Sequence, residues 1–144
     1  MDRTDAISKL TARGEQFELQ DITINGNVCK WFVNAPSTLP QMIKESISDQ
    51  TFYVYKTERY TFNEMYQRAS SLAAELIEKY GISPGDRVAI GMRNYPEWPI
   101  AFTAITSIGG IVVALNAWWE SDELEYGLKH TGAKVAIVDQ ERID

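Results

Sequence analysis

Between Gly81 and Val138 the chain reads GISPGDRVAIGMRNYPEWPIAFTAITSIGGIVVALNAWWESDELEYGLKHTGAKVAIV, and no other stretch limits its fold as strongly. Short branched-apolar runs alternate here with helix-length segments, each boundary marked by glycine, proline or asparagine. Three repeats are predicted: helix 62–80 with strand 87–91, helix 96–108 with strand 111–115, and helix 122–130 with strand 135–138. Such alternation implies an α/β domain with parallel strands joined by helices on the sheet faces.

The first of these helices is the best signalled. Thr61 and Glu64 stand in the T-x-x-E spacing of a capping box, in which each side chain satisfies a backbone donor of the first turn. Met65, Ala69, Leu72, Leu76 and Tyr80 line one side, and Gly81 stops the helix. Ser83-Pro84-Gly85-Asp86 predicts a turn, since proline presets φ and glycine accepts a positive one.

Residues 98–119 carry no charge and have tryptophan at both ends, a pattern long enough to cross a bilayer. Breakers argue otherwise. Ala101, Ala104, Ile105 and Ile108 form one face of an amphipathic helix, with Thr103, Thr106 and Ser107 on another. Gly109-Gly110 ends that helix, and Ile111–Leu115 follows as an apolar run expected to be a strand covered on both faces.

Residues 1–50 are expected to form an extension, and residues 51–144 the α/β subdomain. In the extension, Asn25-Gly26 predicts a tight hairpin turn between Ile22–Ile24 and Val28–Phe32. Leu39, Met42, Ile43 and Ile47 have the spacing of a short helix. Phe52–Lys56 and Arg59–Thr61 suggest a second hairpin about Thr57-Glu58. The sheet is therefore preceded by hairpins.

Charge and composition exclude several classes of function. A net charge of −6, with 14 basic residues scattered among 20 acidic ones, opposes nucleic-acid binding. Cys29 and His130 are the only cysteine and histidine, so a zinc cluster and an intrachain disulfide are both excluded, which suits a cytoplasmic protein. The first thirty residues hold five acids and no apolar run, unlike a secretory leader.

Four ordered pieces carry a family resemblance: the aromatic-Thr-aromatic-x-Glu opening at Tyr60–Glu64, PGDRVAI at Pro84–Ile90, the N-x-P-E turn at Asn94–Glu97, and a small-residue helix leading through Gly109-Gly110 to VVALN. TGAKVAIVD at Thr131–Asp139 fits the same order. From about Phe52 to Arg142 the chain resembles the amino-terminal region of the adenylate-forming, AMP-binding synthetases, nearest to the fatty-acid and related acyl-CoA ligases. Many relatives have proline where this chain has Ala114 and Ala117.

The resemblance implies a two-step reaction. A carboxylic acid attacks the α-phosphate of magnesium-bound ATP, giving acyl-adenylate and pyrophosphate, and coenzyme A then displaces AMP. The chemistry needs a Ser/Thr/Gly phosphate loop, an acid and a lysine, and the chain has no such loop, no Walker motif and no dinucleotide fingerprint. It is therefore expected to be an inactive amino-terminal piece of an enzyme, with no catalytic or metal-binding residues of its own. Its expected partners are the remainder of the synthetase and a second copy meeting it through an exposed sheet edge or apolar face.

By the same resemblance, Ala117, Trp118, Trp119 and Arg142 lie near the nucleotide end of coenzyme A, where an aromatic can stack on adenine and an arginine meet phosphate. The plainer expectation is that both tryptophans pack on the rest of the enzyme while Arg142 is solvated. Asp86 and Asp139 are expected in turns, Glu97 as a helix cap, His130 at a helix carboxyl end, and Cys29 half-buried in its hairpin. The competing class is a free-standing noncatalytic α/β interaction module, which should have a covered sheet edge. A response-regulator-type nucleotide domain is disfavoured, because the strand ends lack an acidic magnesium cluster.

Overall fold

The computed structural model describes residues 2–143. They fall into two compact units, Met1–Ser37 and Thr38–Asp144. The expected boundary near residue 50 differs from this division, because the helix at Leu39–Glu45 buries Ile43 in the core of the second unit.

The first unit has helix α1 (Arg3–Leu10) and a hairpin of β1 (Leu19–Ile24) and β2 (Asn27–Phe32). Asp2 caps α1 by accepting the Asp5 N–H at 2.8 Å, a signal the sequence reading did not use. In the hairpin, Ile24 pairs with Asn27 around Asn25 and Gly26. Their φ angles of 50° and 80° are what a two-residue primed turn demands, and Asn-Gly supplies them at low steric cost. Every residue of β2 is exposed, so Cys29 is exposed rather than half-buried; its strand has no apolar layer over it within this unit.

The second unit begins with α2 (Leu39–Glu45) and the antiparallel pair β3 (Thr51–Tyr55) and β4 (Glu58–Thr61). The turn of that pair falls one residue early, with Lys56 at φ 52°. There follow α3 (Phe62–Glu78), β5 (Arg87–Gly91), α4 (Glu97–Ser107), β6 (Ile111–Ala114), α5 (Ser121–Thr131) and β7 (Val135–Val138), then a short 3-10 turn at Gln140–Arg142. The sheet is parallel in the order β6-β5-β7.

Both halves of the α3 capping box form. Glu64 N–H donates to the Thr61 hydroxyl at 3.1 Å, and the Glu64 carboxylate accepts the Thr61 N–H at 2.9 Å. Tyr80 lies beyond the helix end and is exposed rather than part of its apolar side. The Ser83–Asp86 turn closes on itself, and its Gly85 N–H reaches the Gly109 carbonyl at 2.8 Å. The turn before β5 and the double glycine before β6 are thereby joined, fixing the register at Arg87↔Ile111.

The core lies among α3, α4 and β5. Leu76, Val88, Ile90, Ala104 and Ile105 are essentially inaccessible to solvent. Thr103, expected on a polar face, is buried too, because α4 packs against α3, α2 and β5 together. Ile111–Leu115 was expected to be covered on both faces, but β6 is an edge strand with Ile111 and Ala114 exposed. Among the described residues, only β5 has a strand on each side, a distinction that an apolar run does not carry. Among the described residues, no helix is long and apolar enough to cross a membrane.

Candidate functional site

Parallel sheets offer their loops at the carboxyl ends of the strands, where ligand crevices of α/β folds form. Here those loops are Met92–Pro96 after β5, Leu115–Glu120 after β6, and Asp139 onward after β7. Among the described residues, several clefts open there.

The largest, about 440 Å³, is lined by Tyr55, Met92, Tyr95 and Ile137, with Glu58, Glu97, Asp139 and Glu141 among its other residues. Glu97 makes no side-chain cap for α4; Pro96 holds the cap position and Glu97 borders the cleft instead. Beside it the Tyr53 hydroxyl is buried without a hydrogen-bond partner. Burial, reinforced by the neighbouring Tyr60, pushes its pKa up to about 12. A second cleft of about 390 Å³ includes Arg93, Asn94, Trp98 and Ala117. A third, of about 280 Å³, is lined by Trp118, Trp119, Glu120, Ser121, Leu124, Glu141 and Arg142.

The structure thus brings Trp118, Trp119 and Arg142 to one cleft and sets Ala117 in its neighbour. Asn116 shapes this loop by accepting the Trp118 N–H on its side chain at 3.0 Å, an Asx turn of the usual kind. The two tryptophans then diverge. Trp118 is 75% exposed, whereas Trp119 closes over α5, where a Cβ on Gly127 would come within 2.8 Å of its ring. Glycine at 127 is what allows that approach.

Arg142 is not solvated. Its side chain is 10% exposed, and Nη1 donates to Asp139 at 3.1 Å. Asp139 is not a simple turn residue either. Its side chain is 6% exposed, it accepts the Arg93 backbone N–H at 3.0 Å, and it faces the Arg93 guanidinium. Arg93 also pairs with Glu141 and Tyr95. Sequence reasoning missed this cluster, although strand register could have found it. Gly91 pairs with Val138, so Met92 and Asp139 come next in register, and the Asp139 side chain reaches the N–H of the following residue, Arg93. A buried carboxylate between two guanidiniums is held by paired charge, and losing one partner strands the other.

At the opposite end of the sheet Asp86 lies in its predicted turn and bonds Lys134 at 2.7 Å. That bond, with the Ser83 N–H, holds its carboxyl below the usual range. His130 ends α5 as expected and stacks on Tyr126. Among the described residues, no three histidine, cysteine or acidic side chains gather as a metal site.

Comparison with known proteins agrees with this geometry. The AMP-binding enzyme family matches residues 43–144, more than half of the chain. A long-chain-fatty-acid–CoA ligase of Escherichia coli is 34% identical over 104 residues, covering 70% of this chain and 18% of that protein. A 4-hydroxybutyrate–CoA ligase of Metallosphaera sedula is 28% identical over 111 residues, covering 76% and 20%. The chain therefore spans about a fifth of the length of these relatives. Among solved structures, the Klebsiella oxytoca NpsA N-terminal subdomain superposes with a TM-score of 0.65 at 25% identity, over 72% of this chain and 28% of that one. The anthranilate CoA ligase AuaEII, solved with anthranoyl-AMP, shares the fold with a TM-score of 0.70 at 24% identity, over 74% and 21%. By its matched residues and by its parallel β6-β5-β7 sheet with flanking helices, the chain belongs to the AMP-binding enzyme family.

Proposed function

We propose that this chain is the amino-terminal part of an AMP-forming acyl-CoA synthetase, an ATP-dependent acid–thiol ligase, and that alone it is inactive. The observation carrying this reading is the family match over residues 43–144 together with relatives that are named acyl-CoA ligases. On this reading the second unit is scaffold for a larger AMP-binding domain, and the first unit is an extension. The remainder of the synthetase is its partner and completes the site for a carboxylic acid, ATP and magnesium in the cytoplasm.

The residues present do not fit ATP or magnesium. No phosphate-cradling glycine loop occurs in the sequence, and the most buried acid, Asp139, is held by arginines. For coenzyme A the fit is partial. Of Ala117, Trp118, Trp119 and Arg142, the open ring of Trp118 supports a stack on a base, whereas Arg142, bonded to Asp139, does not support a phosphate contact.

Open edges favour the enzyme reading over the free-standing module. Among the described residues, both β6 and β7 have a strand on one side only, and the exposed Trp118 and Ile143 leave apolar surface for further chain or a second copy to cover. Reading the genomic frame beyond Asp144 tests the proposal. A Ser/Thr/Gly-rich loop ending in Pro-Lys is expected downstream; an immediate stop codon would remove the enzyme reading. Incubating the 144-residue chain with ATP, magnesium and a fatty acid should release no pyrophosphate above the blank, and release would overturn the inactivity.

A further inference from the structure

We infer that the cleft between Trp118 and Arg142 rejects the phosphates of coenzyme A and admits an uncharged or cationic planar ring instead. This rests on the acyl-CoA synthetase reading only for the identity of the rejected group. The charge argument comes from the cleft itself.

Two features could hold an anion there, and the chain's own carboxylates answer both. Among the described residues, Arg142 is the only cation lining the cleft, and it is nine-tenths buried with Nη1 on the Asp139 carboxylate at 3.1 Å. The amino terminus of α5 is the second feature, since free N–H groups and the helix dipole attract negative charge. There the Glu123 carboxylate already accepts the Glu120 N–H at 2.9 Å, and Asp122 adds a further charge to the same first turn. Glu120 and Glu141 line the cleft as well.

A phosphate entering this space would find Arg142 already held by Asp139 and Arg93 by Glu141, and would meet the acids at the start of α5, Glu120, Asp122 and Glu123. Like charges brought together in this way oppose binding. What remains open is the Trp118 ring, 75% exposed, beside a cleft of about 280 Å³. An indole face next to carboxylates suits a flat aromatic ligand, and more so one carrying positive charge. If the complete enzyme uses coenzyme A, the cations for its phosphates must then come from another part of that enzyme, or Arg142 must first leave Asp139.

The test is a fluorescence titration of the 144-residue chain at low ionic strength with three probes: adenosine, the 1-methylnicotinamide cation, and adenosine 3′,5′-bisphosphate. Comparison with Trp118→Phe and Trp118→Ala separates the Trp118 signal from that of the other tryptophans. The expected result is a saturable quench by adenosine and by the cation that Trp118→Ala abolishes, with the bisphosphate weaker than adenosine by about tenfold or more.

The paired variant Glu120→Asn with Glu141→Gln should narrow that gap severalfold. Asparagine is itself a good helix cap, so the fold survives the change. Equal or tighter binding of the bisphosphate to the wild-type chain would overturn the inference, as would a gap unmoved in the paired variant. Absence of any saturable quench by adenosine and the cation would overturn its positive half. None of these results bears on the synthetase reading, which stands or falls on the downstream reading frame.

Discussion

The hairpin of the first unit and the parallel sheet of the second both form regular ladders, yet they bury their residues in opposite measure. Every residue of β2 is exposed, while all of β5 except Arg87 is buried. Backbone pairing exchanges water for a peptide partner at small net gain. The free energy of this protein therefore resides where α3 and α4 cover β5, and the hairpin ladder has shape with little burial behind it. A two-stranded hairpin without a packed face is marginal in water.

The largest effect expected from this contrast is in the core. Leu76→Ala removes a side chain only 1% exposed and should destabilise the sheet unit by about 2–5 kcal/mol in urea unfolding. Ile24→Ala in the hairpin should stay within about 0.5 kcal/mol. A comparable loss at Ile24 would break the comparison, because it would mean that the hairpin face is covered in solution.

Gly110→Ala sharpens it from the other direction, by adding volume. A Cβ there would stand 2.8 Å from Ile105 Cγ2 and 3.0 Å from the Ile105 carbonyl, both inside contact distance. The helix end and the start of β6 must shift, at a cost of about 1–3 kcal/mol. Amide hydrogen exchange should show the loss concentrated in α4 and β6, with the β1–β2 hairpin unmoved. Exchange rising equally in the hairpin would mean that the strain is not confined to the second unit.

Thr61→Ala removes one half of the α3 capping box and should cost about 1 kcal/mol. Glu64 supplies the other half. The Thr61 N–H, then the Thr61 hydroxyl, hold its carboxyl below the usual range. A carboxyl depressed on folding contributes stability that is present above the ordinary glutamate pKa and lost as pH falls through the depressed value. Acid unfolding of Glu64→Gln should accordingly begin from lower stability and depend less on pH in that window than the wild-type chain.

What the sequence made legible follows the same division. Elements with a chemical signature at each end were read to within a residue or two: the Thr61 cap of α3, the Pro84-Gly85 turn into β5, the double glycine between α4 and β6, and Asn25-Gly26 in the hairpin. What depends on the neighbours of an element was not legible. The run Ile111–Leu115 has the composition of a covered strand and becomes an edge, and Thr103 has a polar side chain and becomes core, because α4 is surrounded. At the candidate site, the grouping of Trp118, Trp119 and Arg142 came from the family resemblance. That Asp139 also holds the loop at Arg93 required knowing that β7 lies beside β5, a contact between residues 46 apart in sequence that local spacing does not encode.

The smallest effect belongs to the hairpin itself. Lys30 and Asp21 sit directly opposite one another across the β1–β2 ladder and meet at 2.5 Å, with their side chains 69% and 57% exposed. An ion pair so open to water is screened and must hold two mobile chains in one arrangement, so it contributes under about 1 kcal/mol. Asp21→Asn should therefore leave the unfolding curve of the sheet unit where it was. Any change should appear only in exchange of the hairpin amides, and should fade as salt rises through physiological strength. A salt-insensitive loss would mean that the pair is buried against a surface that the hairpin meets in solution. The contrast between an exposed ladder and a buried one would then describe two stages of covering, with the hairpin waiting for its second layer.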